Sequence, residues 1–280
     1  MCALVSVAGE VWQIDAGCGL SGFAHFYATR SELPPSFVVT RSSGLGPAMS
    51  RVVFASWHWL AVECPSSTAF SRRVPIGEPP TLWIRKDRTA AEVLCDPTCD
   101  RSDTSAEVCR FDQLLCADRL SFSGRGIICH ALALRHGNGC LLAAGCSGKG
   151  KSTLARLLRT AVGVATLSDE RVILFDDVSA FHVQGTPWQS AAREARPESG
   201  PVRNLLFLRH ADTNHLSPLR PAQAATELFR CTFPPFWHTP GMGFALEFCI
   251  RIAKKIPCYE FGFRPDMSAV GFLLKELELC

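Results

Sequence analysis

The rhythm of apolar and polar positions changes near Ser121. Beyond Lys151, residues Leu154, Leu157, Leu158 and Ala161 fall at i, i+3, i+4 and i+7, which predicts a helix resting one face on a sheet. Ahead of it lie the apolar run Ile127–Cys129 and the segment Gly139–Ala144, a predicted buried strand stopped by Gly145. Arg171–Phe175 predicts a further strand, with acidic residues on both sides. Ser217-Pro218 has the N-cap and first-turn chemistry of a helix reaching about Phe229. Leu246, Cys249, Ile250 and Ala253 form the stripe of another helix, Tyr259–Phe263 alternates as a strand does, and Asp266 is expected to cap a last helix with stripe Val270, Leu273, Leu274 and Leu277. Strand and helix in alternation give an α/β core over residues 121–280.

Residues 1–120 read differently. Short strand candidates at Ser36–Thr40, Arg51–Ala55 and Thr81–Arg85 are separated by Pro/Gly/Ser clusters and by the polar stretch Asp96–Ser105. This half is expected to be a β-rich accessory region of unknown role. It holds no catalytic motif, and His25 and His58 read as packed or exposed histidines rather than ligands.

Composition narrows the picture. A chain of 280 residues, 47% hydrophobic and 20% charged, is globular and neither disordered nor fibrous. Its net charge of +3 is not gathered into a basic stripe, so nucleic acid is not the expected partner. No uninterrupted apolar stretch approaches the roughly 18 residues of a membrane span, and Met1–Val7 lacks the basic flank of a secretion signal. A soluble cytoplasmic protein is expected. The 14 cysteines include no Cys-x-x-Cys pair. Cys95 and Cys99 read as loop thiols, whereas Cys129, Cys140, Cys249 and Cys258 sit in apolar stretches as small core hydrophobes.

The chemistry concentrates in Gly145-Cys146-Ser147-Gly148-Lys149-Gly150-Lys151-Ser152, a complete G-x-x-x-x-G-K-[ST] between a predicted strand and a predicted helix. Glycines let the backbone curl so that successive N–H groups face an anion at the positive end of the helix. Lys151 is expected on the outer phosphates of ATP, and Ser152 on a bridging Mg²⁺, a hard cation that wants oxygen ligands. Thr153 completes the set of expected nucleotide contacts. A carboxylate must accompany such a loop, and two pairs qualify on residues alone, Asp169-Glu170 and Asp176-Asp177.

The segment His130–Arg171 resembles the HPr kinase/phosphorylase family, within the superfamily it shares with phosphoenolpyruvate carboxykinases. The likeness rests on His130 ahead of Gly145, the loop itself, and Ser168-Asp169-Glu170-Arg171-Val172 after one helix. Thr232–Trp237, Pro257–Phe261 and Phe263–Asp266 resemble compact bacterial relatives, some associated with modification of ribosomally made peptides such as lasso-peptide precursors. The resemblance covers about residues 121–280 and implies a P-loop kinase core of the HPr kinase C-terminal type. It implies that Asp169 accepts or orients the proton of an attacking hydroxyl, that Glu170 joins Ser152 and Asp169 at the metal, and that His130 approaches the phosphates or acceptor. Glu170 stands where the family has Asp, Thr153 stands where HPr kinases have Glu, and no phosphorylase loop is recognisable between Phe181 and Arg203. A kinase without the reverse activity is therefore expected, with an acceptor other than HPr itself.

Elsewhere, Gly185–Trp188 with Arg193 and Arg196 reads either as an acceptor or nucleotide-side loop or as a surface turn. Phe233–Trp237 reads as a plug at a core edge in preference to a peptide groove, and Arg264 is a weak candidate for an anion. The expected function is an ATP- and Mg²⁺-dependent kinase acting on a Ser or Thr hydroxyl of a peptide, protein or small acceptor. The alternative is a nucleotide-binding regulatory protein that has lost transfer. A transport ATPase is disfavoured because no Leu-Ser-Gly-Gly-type signature follows the loop. No motif names the acceptor or chooses ATP over GTP, and a homo-oligomer stays open.

Overall fold

The computed structural model describes residues 2–15, 18, 20–42, 51–56, 59–72, 82–94, 111–145, 148–160, 163–177, 179–188 and 195–277. The expectations for His58, Cys95, Cys99, Asp96–Ser105, Cys146, Ser147, Ala161 and Arg193 lie outside the described residues. The chain divides into two compact units, Met1–Phe122 with Pro235–Gly241, and Ser123–Pro234 with Met242–Cys280. The boundary falls two residues beyond the one read from the sequence, and Pro235–Gly241 leaves the C-terminal region to join the first unit.

The first unit contains β1 (Cys2–Val7), β2 (Glu10–Asp15), α1 (Ser21–Phe26), β3 (Phe37–Ser42), β4 (Arg51–Ala55), β5 (Trp59–Glu63), β6 (Ser67–Arg72), β7 (Leu82–Arg85), β8 (Ala90–Leu94) and α2 (Phe111–Phe122). Its strands form one sheet in the order β1-β2-β3-β8-β7-β6-β5-β4. The pairs β2–β3 and β3–β8 are parallel and the others antiparallel. Trp12, Phe37, Phe70, Leu82 and Leu115 are fully buried. Trp237 packs its ring edge against Phe70 at 5.0 Å, which is the plug expected for the Phe233–Trp237 stretch, while Phe236 stacks on Phe54 at 5.6 Å.

The second unit holds β9 (Gly126–His136), β10 (Gly139–Ala144), α3 (Lys151–Leu158), β11 (Val164–Ser168), β12 (Arg171–Asp176), β13 (Phe181–Gly185), β14 (Ser199–His210), β15 (His215–Pro218), α4 (Pro221–Arg230), α5 (Thr239–Lys255) from Met242 onward, β16 (Cys258–Phe263) and α6 (Ser268–Glu276). Its sheet runs β10-β9-β12-β13-β14-β16-β15, with β11 on β9 and a further pairing of β10 with β14. Both faces of the central strands are covered. Along β10 and β14, Leu142, Ala144, Leu205 and Phe207 face a core shared with α4 and α5, while Leu141, Ala143, Leu206 and Leu208 face a core shared with α3 and α6. That double burial explains why these strands read as unbroken apolar runs rather than alternating ones. The fold is mixed α/β.

Two expected elements are corrected. Ser217-Pro218 does not start a helix: both residues pair with β16, Pro218 opposite Tyr259, and α4 begins at Pro221. An edge strand tolerates a proline, which has no N–H to give, and Pro221 takes the first helical position instead. In α5 the core face is Ala245, Phe248, Cys249, Ile252 and Ala253, leaving Leu246 46% and Ile250 38% exposed. Asp266 does serve the start of α6, accepting from the Ser268 N–H at 2.9 Å. Cys129, Cys140, Cys249 and Cys258 are buried free thiols, as their apolar surroundings imply. Among the described residues no helix is long and apolar enough to cross a membrane.

Candidate functional site

Three adjacent strands bring the expected residues together. β9 is the longer partner of both β10 and the β11–β12 pair. Ala131 opposes Ala144, so the next step places His130 beside Gly145, whose N–H donates to the His130 carbonyl at 3.4 Å. On the other side of β9, His130 opposes Arg171, and the Ala131 N–H donates to the Glu170 carbonyl at 3.1 Å. His130 therefore lies between the start of the glycine loop and the Asp169–Glu170 turn. The turn is braced: the hydroxyls of Ser168 and Thr186 both donate to the Arg171 carbonyl, at 2.7 and 2.6 Å.

The described part of the loop has the backbone its glycines permit. Gly148 and Gly150 stand at φ +82° and +94°, and a Cβ on Gly150 would lie 2.8 Å from the Phe263 ring. Helix α3 starts at Lys151 with Gly150 as N-cap and no side chain capping it, which leaves its first N–H groups facing the loop. Lys151 is buried, and its ammonium donates to the Gly145 carbonyl. Ser152 is exposed, Thr153 and Lys149 are half-buried, and Gly145 is buried.

Charge reaches across these strands. His130 Nε2 lies 3.4 Å from Glu170 Oε1, with side-chain exposures of 18% and 30%. Burial lowers the His130 pKa, Lys151 and Arg171 push it the same way, and Glu170 opposes them. Asp169 is 1% exposed. The Arg171 guanidinium sits 4.6 Å from the centre of the Phe233 ring, which is tilted beside His130.

The other acidic pair has different employment. Asp176 closes the far end of β12, about 16 Å along the strand from Arg171 at roughly 3.3 Å per residue. Its carboxylate binds Arg251 at 2.7 Å. Asp177 accepts from the Ser179 hydroxyl, the Ser179 N–H and the Ala180 N–H, which hold its pKa down at about 2. Of the Gly185–Trp188 stretch, Thr186 is fully buried and Trp188 is 9% exposed. Arg196 is exposed, and Arg264 is paired with Asp266 at 2.7 Å. Two neighbours of the loop were missed by reading the sequence, His210 and Phe263, whose approach depends on strand pairing and carries no local signal.

Among the described residues no group of three or more His, Cys, Asp or Glu side chains is placed to hold a metal. The Ser152 hydroxyl, which is exposed, and the carboxylates of buried Asp169 and half-buried Glu170 are hard oxygen donors, the kind that Mg²⁺ takes while keeping part of its water shell. No protein-family model and no curated protein matches the chain.

Proposed function

We propose that the second unit is a P-loop phosphotransferase of the HPr kinase-like type, transferring the γ-phosphate of ATP to a Ser or Thr hydroxyl of a peptide, protein or small acceptor. The observation that carries this reading is the placement of His130 between the Gly145–Ser152 loop and the Asp169–Glu170 turn on neighbouring strands. The loop amides and the uncapped start of α3 would receive the phosphates, and the Lys151 ammonium, now on the Gly145 carbonyl, would turn to them. Ser152, Glu170 and Asp169 would hold Mg²⁺, which supplies neutralisation of the phosphate oxygens. In the transfer, the acceptor oxygen forms a bond to the γ-phosphorus as the bridging P–O bond breaks and its electrons stay on ADP. The hydroxyl proton goes to Asp169. Most of the work is positioning and charge neutralisation, which suits a site built from backbone amides and three charged side chains.

The test is incubation of the purified protein with γ-labelled ATP and Mg²⁺, alone and with Ser- and Thr-containing peptides and free serine. Label in an acceptor, lost in Lys151→Ala, supports the kinase. Tight ATP binding with no label transferred to any acceptor, protein or water would replace it with the regulatory reading.

A further inference from the structure

The loop is tethered from a strand that no motif points to. β14 runs parallel to β10, with Ala144 opposite Phe207, so Leu208–His210 continue about 10 Å past the end of β10 to the level of the loop. There His210 and Phe263, register partners on β14 and β16, both reach it. Phe263 lies against Gly150, and His210 Nε2 is 2.9 Å from the Gly148 carbonyl. A carbonyl only accepts, so the imidazole donates.

Gly148 needs such a partner. It sits at φ +82°, it is exposed, and nothing lies within 4 Å of the position its Cβ would take. Glycine units reorient at little cost. The peptide joining Gly148 to Lys149 is planar and trans, so its C=O and N–H point in opposite directions. Holding the carbonyl at His210 turns the Lys149 N–H away from β14.

We propose that His210 is a positioning residue for phosphate recognition: its bond to Gly148 presets the Lys149 amide as a phosphate donor, favouring nucleotides over nucleosides. The inference rests on reading Gly145–Ser152 as a phosphate loop. It is tested with the full chain by measuring dissociation constants for ADP and adenosine in wild type, His210→Ala, His210→Gln and Lys151→Ala, with melting temperatures alongside. His210→Ala is expected to weaken ADP about fivefold, the worth of one hydrogen bond, with adenosine and melting temperature unchanged. His210→Gln, which keeps a donor at similar reach, is expected to restore ADP binding to within about twofold. Equal ADP binding by wild type and His210→Ala, or equal weakening by Ala and Gln, overturns the role of His210 while leaving the loop intact. A wild type that binds no ADP, or a Lys151→Ala that binds it undiminished, removes the loop reading and this inference together.

Discussion

The indole N–H of Trp237 donates to the Asp118 carboxylate at 2.8 Å, joining positions 119 residues apart. The same carboxylate receives Arg88 Nε at 2.9 Å and Nη2 at 3.4 Å, and its side chain is 0% exposed against 7% for Arg88. Asp118 thus ties α2, the turn after β7 and the returning segment into one buried network. Asp118→Ala leaves the Arg88 charge buried and unmatched, and is expected to destabilise the first unit by about 3–5 kcal/mol, measured as a lowered denaturation midpoint. A loss below about 1 kcal/mol would mean that the network does not hold the unit together.

His238, next to Trp237, sets a pH dependence. Burial lowers its pKa from 6.5, Arg88 adds to the effect and Asp118 opposes it, and its Nδ1 has no hydrogen-bond partner among the described residues. The folded state therefore takes up a proton less readily than the unfolded chain. Below about pH 6.5 stability falls with pH, and the loss levels off once the pH is under the folded-state pKa. His130 contributes in the same direction, so the informative quantity is the difference between wild type and His238→Gln. The variant is expected to lose less melting temperature between about pH 7.5 and 5.5; identical losses would show that His238 does not titrate with folding.

Gly150 is expected to tolerate no side chain. Gly150→Ala places a Cβ against Phe263 at a φ of +94°. The backbone strain alone is about 1–2 kcal/mol. The variant should melt lower and lose ADP affinity, whereas Gly137→Ala, at φ +53° with open space around it, should lose stability without touching ADP binding.

Substitutions in the two acidic pairs are expected to have different effects. Asp169→Asn is expected to bind ATP normally and transfer phosphate at least 100-fold more slowly, the order contributed by a positioned base. Asp177→Asn should transfer as wild type does, because its Oδ1 is engaged with Ser179 and Ala180 and its Oδ2 lies 3.2 Å from His182 Nδ1. The reverse pattern in a phosphate-release and peptide-labelling assay would exchange their roles.

What could be read in advance was local. The glycine–lysine spacing, the stripe of α3 and the strand-like runs of β10, β12 and β16 are properties of consecutive residues. In α5, by contrast, two overlapping stripes satisfy helical spacing, one through Leu246 and Ile250 and one through Ala245, Phe248 and Ile252, and only the sheet beneath chooses the second. Ser217-Pro218 has good helix-start chemistry, yet pairing with β16 claims it. At the site, the loop and Asp169–Glu170 were legible as motifs, but the choice between the acidic pairs depends on which end of β12 each occupies. His210 reaches Gly148 across 62 positions of sequence through parallel pairing, for which no neighbouring residue gives a sign.

The return of Pro235–Gly241 to the first unit gives biosynthesis a timetable. The 112 residues from Ser123 to Pro234 must be translated before the last piece of that unit exists. At the usual 5–20 residues per second this is a wait of roughly 6–22 s, during which the surfaces that Trp237 covers stay open on the nascent chain. Chaperone occupancy on ribosome-bound chains should therefore persist through that interval and fall once residue 241 clears the exit tunnel.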